Sequence, residues 1–314
     1  MLEKIGLDIQ QADQKIQLKY GENPHQKGIF YSNSFKETFE IIHGERISFS
    51  NVIDIDSAVR LMDEFTETSF AILKHSNPIG FASRNELFKA WTDAMACDPV
   101  SAYGGILITN GIINLQTAEE IHKMDYVCLI AKEFEENAIE LLKNNSEKLI
   151  LKQRKSLKLP ELNIRSALGG FLIQEADNVK ETEKDLKVVT KIHPNSIQTD
   201  NLLIANKIVK HTRTSSIALV KDKQLVSIAI SQTSRFDAIR DVLNKAEAYG
   251  FDLNGASLAS EASLPYIDIY KLAHQVGISS IIQPGGAELD QEAIAFCDEM
   301  NICMAFTGYR HFKH

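Results

Sequence analysis

An adjacent lysine and histidine, Lys74 and His75, are the residues whose types best suit chemistry in this sequence. They follow the apolar run 70–73 and precede Pro78 and Gly80. Because proline cannot donate to a strand ladder and glycine relaxes the backbone, the pattern predicts a strand that ends in a loop. Histidine titrates near neutral pH and lysine is cationic, so the pair suits proton removal with stabilisation of developing negative charge. The alternative interpretation is two polar residues at a strand terminus.

The elements that must position this pair alternate between short apolar runs and amphipathic stretches. Residues 56–65 and 85–95 carry apolar side chains at helical spacing, which predicts surface helices on a sheet. Exposed connections are predicted at 144–158 and 178–185, where charged and polar residues dominate. Alternation of strands with helices indicates an α/β protein of three layers. The predicted strands are residues 70–73, 105–108, 126–131, 216–220, 226–230 and 278–282.

Length and composition limit the class of protein. A chain of 314 residues, 44% of them hydrophobic, is long enough for about two domains with sizeable cores. The formal net charge of −8 argues against nucleic acid as a main partner, because phosphate binding favours a basic face. The sequence has neither a leader pattern nor an apolar run of about 18 residues, so we expect a cytoplasmic protein with no membrane partner.

Motifs for metals and nucleoside triphosphates are missing from the sequence. Its four cysteines are dispersed, which predicts reduced core residues and no Cys-x-x-Cys metal site or disulfide framework. Neither a P-loop nor a Gly-x-Gly-x-x-Gly is present, so a triphosphate or dinucleotide site has no sequence support. The three glycine pairs are interpreted as tight turns: Gly104-Gly105, Gly169-Gly170 and Gly285-Gly286.

Six segments spread over nearly the whole chain carry recognisable motifs. The first segment reads Leu-Lys-Tyr-Gly-Glu-Asn-Pro-His-Gln, and the second contains the Lys-His pair. The third reads Asp-Pro-Val-Ser-Ala-Tyr-Gly-Gly, and the sixth ends in Arg-His-Phe-Lys-His. The segments are residues 18–26, 74–80, 98–105, 166–177, 210–235 and 259–314. In this order they resemble the segments of AICAR transformylase, a family that is the formyltransferase part of the bifunctional purine-biosynthesis enzyme.

The resemblance implies formyl transfer from 10-formyltetrahydrofolate to the 5-amino group of AICAR in IMP biosynthesis, giving FAICAR and tetrahydrofolate. That amine is a poor nucleophile, so its proton must leave as it attacks, and His75 matches the base. Lys74 matches a group that stabilises the oxyanion or protonates the leaving folate nitrogen. Ser215 stands at a catalytic position where the family has asparagine. Asp268 matches an aspartate that contacts the folate, although a helix N-cap before 270–276 is an alternative.

The resemblance also implies the binding residues. Lys19 stands in place of an arginine, which keeps the charge and loses the bidentate fork, whereas His25 is interpreted as a structural histidine. Glu261 replaces an aspartate near the site of a structural monovalent cation; no other metal is expected. The implied ribotide-binding residues are Lys19, Tyr20, Asn23, Gly104, Arg235 and Arg310, and the implied folate-binding residues are Tyr103, Pro265, Tyr266 and Asp268.

Some positions depart from the family pattern. Ser215 and Ser263 replace an asparagine and an aromatic residue, and Val127 stands where an acidic residue is usual, with Asp125 nearby. A glycine-rich run of the family becomes Ser-Ile-Ala-Ile-Ser-Gln at 227–232. These departures leave two alternatives open. One is a divergent formyltransferase acting on another aromatic amine, and the other is a non-catalytic paralogue that binds a purine intermediate.

The resemblance implies a duplicated fold of two subdomains similar to cytidine deaminase. The deaminase zinc signature of His-x-Glu and Pro-Cys-x-x-Cys is missing, so no zinc is expected. We place the subdomains at 1–185 and 186–314. A homodimer with active sites built from both subunits is also implied. Because the first family segment starts within the first twenty residues, we expect no cyclohydrolase domain and a separate IMP cyclohydrolase in the pathway.

Overall fold

Short strands and helices alternate along the computed structural model, which describes residues 14–32, 34–44, 47–144, 148–157 and 160–314. Residues before 154 form β1 (Gln14–Gln17), β2 (Ile29–Ser32), α1 (Phe35–Thr38), β3 (Phe39–His43), α2 (Phe49–Met62), β4 (Ser69–Lys74), β5 (Asn77–Ser83), α3 (Leu87–Cys97), β6 (Gly105–Thr109), β7 (Ile112–Ile113), α4 (Leu115–His122), β8 (Tyr126–Ala131), β9 (Glu133–Phe134), α5 (Glu136–Leu142) and β10 (Leu149–Gln153). Later residues form β11 (Leu162–Ala167), β12 (Gly170–Glu175), β13 (Lys187–Val188), α6 (Ser196–Lys210), β14 (Ile217–Lys221), β15 (Gln224–Ala229), α7 (Arg235–Ala248), β16 (Ser257–Ser260), α8 (Ile267–Gln275), β17 (Ser280–Gln283), α9 (Asp290–Glu299) and β18 (Cys303–Phe306).

One mixed sheet contains twelve strands of the described residues, in the order β13-β18-β17-β16-β14-β15-β5-β4-β6-β8-β10-β3. The hairpins β4-β5 and β14-β15 lie at its centre, where β5 pairs antiparallel with β15. On the outer side of each hairpin, the next strand, β6 or β16, pairs antiparallel with the hairpin. Two parallel pairings follow, and the strand at each edge of the sheet, β3 or β13, pairs antiparallel. The two halves of the sheet therefore repeat one topology. The likeness to cytidine deaminase and the division after residue 185 stay predictions.

Helices cover both faces of this sheet. On one face, α2 and α6 share a core that spans the two halves and includes Leu61, Leu73, Ile208 and Val220. On the other face, α3, α4 and α5 pack on the first-half strands, and α7, α8 and α9 pack on the second-half strands. Strands enclosed on both faces need apolar side chains on both, which explains the continuous apolar runs of the sequence. The predicted α/β class is confirmed.

Local capping chemistry sets where the two helices of the shared core begin. Ser48 precedes α2, and its side chain accepts from the Asn51 backbone amide at 3.2 Å while the Asn51 side chain accepts from the Ser48 amide at 3.0 Å. Asn195 and Gln198 form the same reciprocal pair at the start of α6. Each capping box satisfies amides that the first helical turn leaves unpaired.

Two predictions about local structure are wrong. Residues 144–158 were predicted as an exposed connection, but Leu149–Gln153 is strand β10, with β8 and β3 as neighbours on its two sides. The loop predicted after Lys74 is also wrong, because Asn77–Ser83 is strand β5. Pro78 is tolerated there since the β4-β5 register shifts between Ile72 and Leu73, next to its own position.

Other predicted features have direct counterparts in the structure. The predicted strands correspond to β4, β6, β8, β14, β15 and β17, and the predicted helices lie within or beside α2 and α3. All four cysteines are buried and free, as expected for core residues. Among the described residues, no helix combines the length and apolar character needed to cross a membrane.

Candidate active site

The central strands bring the candidate residues to one end of the sheet. β4 finishes at this end with Lys74, and the antiparallel strand β6 begins there. β15 and β16 also finish there and β14 begins there, since β14 is antiparallel to both. The β5-β15 pairing joins the two halves so that the start of β5 lies beside the finish of β15. We call this end of the sheet the site end.

His75 lies at the tip of the β4-β5 hairpin. Lys74 pairs with Asn77 across a two-residue turn in which His75 and Ser76 have φ angles of 51° and 63°. Positive φ at both central residues is typical of a type I′ turn, and non-glycine residues adopt it at some cost. Two side chains hold the turn: Ser76 Oγ donates to Asp54 Oδ1 at 2.6 Å, and Asn77 Nδ2 donates to the His75 carbonyl at 2.8 Å. The His75 imidazole itself is exposed.

Lys74 reaches across to the loop that leads into β6. Its Nζ donates to the carbonyl oxygen of Tyr103, and the Tyr103 side chain is 59% exposed. Gly104 follows with φ of +70°, a conformation that side-chain-bearing residues avoid, and its amide donates to the Asp125 carbonyl at 2.9 Å. Asp125 forms an ion pair with Lys148. Lys74, Tyr103 and Gly104, all implied by the resemblance, are therefore neighbours.

Lys148 is a cation at the site end that the sequence did not single out. It lies just before β10, its Nζ is 5.3 Å from the Tyr126 ring centroid, and burial lowers its pKa. Interpreting 144–158 as an exposed connection hid this residue. The signal that could have revealed it is the apolar run 149–151, which places the preceding lysine at a strand start.

Asn77 connects the histidine turn to the second half of the chain. Its Oδ1 accepts from the Arg213 backbone amide at 2.9 Å, and its side chain is buried. Two residues further on, half-buried Ser215 exchanges backbone hydrogen bonds with Gln232, at 3.2 and 3.0 Å. One asparagine therefore links the segment of His75 to the segment of Ser215.

Arg235 forms a buried ion pair with Glu261. The two residues are 9% and 0% exposed, and Arg235 Nη1 lies 2.7 Å from Glu261 Oε1. Neither atom has an aligned hydrogen bond, so the contact is mainly electrostatic. Ser216 donates to the other carboxylate oxygen from its amide at 3.1 Å and from its hydroxyl at 3.0 Å. The charge of Arg235, one of the implied ribotide ligands, is thus already offset within the protein.

Arg310 differs from Arg235 in being exposed. Its guanidinium lies 4.1 Å from the Phe312 ring centroid, and that of Arg235 lies 6.0 Å from the same ring. Arg310 has no carboxylate partner among the described residues, so its charge is available to an anionic ligand. The aromatic ring brings the two arginines into one cluster.

The opening family segment lies against the start of α2. The amide of Lys19 donates to the Ile47 carbonyl at 3.2 Å, and the Tyr20 carbonyl accepts from Phe49 at 3.3 Å. Lys19 is exposed, with its Nζ 5.9 Å from the Tyr20 ring centroid. Asn23 donates from Nδ2 to Gln26 Oε1 at 2.9 Å within the same loop. Helix α2 also carries Asp54, which accepts from Ser76 in the histidine turn, so the same helix contacts both the opening segment and the turn.

The implied folate residues lie in the segment that enters α8. Pro265 is half-buried and Tyr266 is 52% exposed. Tyr266 is the N-cap residue, which makes the alternative interpretation of Asp268 as an N-cap wrong. Asp268 lies in the first turn with a 64% exposed side chain, 3.0 Å from Lys271 Nζ. Its position leaves it accessible to a ligand.

Two of the departures from the family pattern have clear environments. Val127 is partly buried and packs on the core that α2 and α6 share, whereas Asp125 is exposed beside Lys148. Asp125 is therefore the acidic side chain that this strand presents at the site end. Ser263 is half-buried next to Leu264, whose amide donates to Gln283 Oε1 at 2.8 Å.

A buried charge network ties the C-terminal segment to α2 and α6. Burial would raise the pKa of Glu64, but hydrogen bonds with His211 and Lys210 outweigh it and hold the pKa at about 2. Burial lowers the pKa of His211 to about 4, so this imidazole is neutral near pH 7.

The same network contains a histidine, His311, whose pKa is raised, whereas that of His211 is lowered. His311 lies between Asp177 and Glu181, with 2.6 Å from its ring nitrogens to each carboxylate. Burial alone would lower its pKa, but these two contacts raise it to about 9. His311 is therefore a buried cation near pH 7 that holds the chain beside Arg310.

Sequence comparisons find relatives of this chain among known proteins. Residues 4–245 match the family model described as AICARFT/IMPCHase bienzyme. A protein of Bacteroides thetaiotaomicron described as bifunctional purine biosynthesis protein PurH is 48% identical over 298 residues, covering 95% of this chain and 58% of the relative. Proteins of the same description from Chlorobium phaeobacteroides and Aquifex aeolicus are 38% and 39% identical, covering 96% and 95% of this chain.

The chain spans 58–59% of the length of these relatives. Their similarity extends over both halves of the sheet, beyond the last residue of the family-model match. On this evidence the chain belongs to the AICARFT/IMPCHase bienzyme family.

Proposed function

We propose that this protein transfers the formyl group of 10-formyltetrahydrofolate to the 5-amino group of AICAR, giving FAICAR and tetrahydrofolate. The observation that carries the proposal is the Lys74-His75 pair on a braced turn, in a chain 48% identical to a purine biosynthesis protein. The cytoplasm is the compartment we propose. Ring closure of the product would fall to a cyclohydrolase outside residues 1–314.

His75 is the proposed general base. The attacking amine shares its lone pair with the imidazole ring and carboxamide, so it gains nucleophilicity as its proton leaves. The hairpin presents the imidazole to solvent, and Asp54 and Asn77 restrain the turn that carries it. A restrained base needs little reorganisation to meet the amine.

Lys74 is proposed to stabilise the negative charge that develops during the reaction. Attack on the formyl carbon creates an oxyanion, and collapse of the intermediate requires a proton on folate N10. One N–H of the Lys74 ammonium is used on Tyr103, which leaves two for the substrate. Ser215, at the position of the family asparagine, is the third proposed catalytic residue, and Asp268 the fourth.

The remaining residues implied by the resemblance fall into two groups, one for each ligand. We propose that Lys19, Tyr20, Asn23, Gly104, Arg235 and Arg310 surround the ribotide, and that Tyr103, Pro265, Tyr266 and Asp268 contact the folate. The exposure of Tyr103, Tyr266 and Asp268 supports a folate surface, since aromatic faces can stack on a pterin ring. The buried Ser260 Oγ, which has no hydrogen-bond partner among the described residues, supports a monovalent cation next to Glu261.

We also propose a homodimer with active sites built from both subunits. The β11-β12 hairpin supports it, because every residue of β12 is exposed, including Phe171 at 69% and Leu172 at 61%. Exposed apolar residues of this kind are typical of protein interfaces. Sedimentation at assay concentration should give a dimer, and Phe171→Ser with Leu172→Ser should shift it towards monomer with loss of activity. A fully active monomer would exclude composite sites.

A direct assay tests the proposed reaction. We expect tetrahydrofolate to appear, by its absorbance, only when AICAR and 10-formyltetrahydrofolate are both present with the enzyme. AICAR riboside, which lacks the phosphate, serves as the control acceptor and should react far more slowly. Release that is independent of AICAR, or no release from folded protein, would contradict the proposal.

A further inference from the structure

A cavity lies next to the histidine turn, between α2, the end of α6 and the C-terminal segment. Its volume is about 330 Å³, and Ser76, whose neighbour is His75, forms part of its wall. Asn163 and Gln174 of the β11-β12 hairpin line another side. The volume is roughly ten times that of one water molecule in the liquid, so a small polar ligand fits.

Two cations in the wall of this cavity lack a carboxylate partner among the described residues. Arg213 is exposed, and its hydrogen bonds among the described residues come from its backbone, which donates to Asn77 and accepts from Ser231. Lys313 Nζ donates to the His211 carbonyl at 3.1 Å, which uses one of its three N–H groups. Burial lowers the pKa of Lys313 to about 8; the charge of Asp56 and that of Asp54 act against this shift, and the charges of Arg213 and Arg60 act with it. A bound anion would offset the repulsion from the two arginines.

The carboxylates in the same wall already have cationic partners. Asp56 pairs with Arg60 at 2.8 Å, and Asp177 shares the buried cation His311 with Glu181, at 2.6 Å from each. Lys210 is matched by Glu64 at 2.7 Å, and His211 is neutral near pH 7. Arg213 and Lys313 are therefore cations of this wall without a carboxylate in ion-pair contact among the described residues, and amide and hydroxyl groups lie around them.

We propose that this cavity binds a phosphate-type oxyanion, held by Arg213 and Lys313 and assisted by the amides of Asn163 and Gln174. Arginine supplies a planar fork that matches two oxygens of a phosphate, and lysine supplies a compact charge. The anion is either inorganic phosphate or the phosphate group of a nucleotide whose base lies near His75. The nucleotide source rests on the proposed function, whereas binding of inorganic phosphate does not.

Calorimetric titration of the full chain with inorganic phosphate, in a phosphate-free buffer at constant ionic strength, tests this site. We expect saturable binding with one site per chain. Arg213→Gln should weaken binding about tenfold or more, in line with a charged hydrogen bond. Arg213→Lys should keep part of the affinity, because it keeps the charge. Lys313→Gln should weaken binding similarly, with thermal unfolding confirming that the variant is folded.

A matched control comes from an arginine elsewhere on the molecule. Arg240 stacks on Phe236 of α7, away from the cavity wall, and Arg240→Gln should bind phosphate like the wild type. Unsaturable binding to the wild type, or equal affinity in folded Arg213→Gln, would overturn the proposal. Competition distinguishes the two sources: phosphate that raises the KM for AICAR shares the nucleotide's phosphate position, and phosphate that binds without changing this KM has a site of its own.

Discussion

Lys74 and His75 owe their arrangement to a turn of only two residues. Lys74 is the last residue of β4 and His75 is the first residue of the turn, so their side chains point in different directions. Lys74 reaches the Tyr103 loop, while His75 faces solvent. The residue types were readable from the sequence. Their braces were not, because Asp54 and Arg213 are 22 and 136 residues from their hydrogen-bond partners.

Substitution of Lys74 separates charge stabilisation from proton donation. Lys74→Ala should lower kcat by about a hundredfold or more, the scale of a lost oxyanion contact. Lys74→Arg keeps the charge and hardly releases a proton near neutral pH, so we expect partial rescue if electrostatics dominate. Steady-state rates together with thermal unfolding of each variant measure this. Equal and complete loss in a folded Lys74→Arg protein would favour proton donation.

Ser215 is the proposed catalytic residue that stands where the resemblance implies an asparagine. It is half-buried and held by backbone contacts to Gln232, so a longer side chain can be accommodated without breaking a side-chain bond. Restoring the family residue in Ser215→Asn should leave or raise kcat/KM for AICAR. A large loss, compared with the wild type under the same conditions, would show that the pocket is built for a different acceptor.

At the scale of elements, the β4-β5 hairpin depends on one buried amide. Asn77→Asp keeps an acceptor for the Arg213 amide but replaces the donor to the His75 carbonyl with a carboxylate oxygen. We expect a lower kcat with a nearly unchanged KM for the folate, because the proposed base loses its position while the proposed folate surface remains. A lost hydrogen bond of this kind is worth about 1–3 kcal/mol.

Asn110 provides the matched control for that measurement. Its side chain also bridges backbone groups, accepting from Ser69 at 2.9 Å and donating to Glu67 at 2.8 Å, but at the opposite end of β4. Asn110→Asp should lower thermal stability to a similar extent and leave kcat unchanged. Equal losses of kcat in both variants would mean that Asn77 acts only through stability.

Several strands enclosed on both faces were predicted well from sequence patterns, although the buried strands β16 and β18 were not predicted. β4, β6 and β8 are continuous apolar runs because helices cover both of their faces. β10 was missed because its three buried apolar residues lie between lysines and near a charged stretch. β5 was missed because a proline usually ends a strand, and only the register shift opposite it makes room. Whether segments such as β5 and β10 form strands is decided by their pairing with neighbouring strands, which the local sequence does not show.

At the scale of the whole molecule, buried ionised groups join the C-terminal segment to both halves of the sheet. His311 connects to Asp177 and Glu181. Glu64, just after α2, connects to Lys210 at the end of α6 and to His211, which follows it. No local sequence signal indicates this network, since its members come from four separate segments. It holds the segment that carries Arg310 and Lys313.

The raised pKa of His311 predicts a pH dependence of stability. Its folded pKa of about 9 exceeds the ordinary value of 6.5, so its stabilisation is complete below pH 6.5 and is lost as the pH rises to about 9. The difference corresponds to at most about 3 kcal/mol. Lys313, with its lowered pKa, acts in the opposite direction at alkaline pH. Denaturant unfolding of wild type and His311→Gln should therefore converge between pH 6.5 and 9, and a constant difference would contradict this role.

His75 is the residue proposed to carry the chemical step of formyl transfer to AICAR. Turnover of His75→Ala, measured as formylated nucleotide formed at matched concentrations of folded protein, tests this role. Loss of a positioned base should lower kcat by about a hundredfold to ten-thousandfold, while the thermal unfolding midpoint stays close to that of the wild type. Near-normal turnover in folded His75→Ala protein would exclude His75 as the general base.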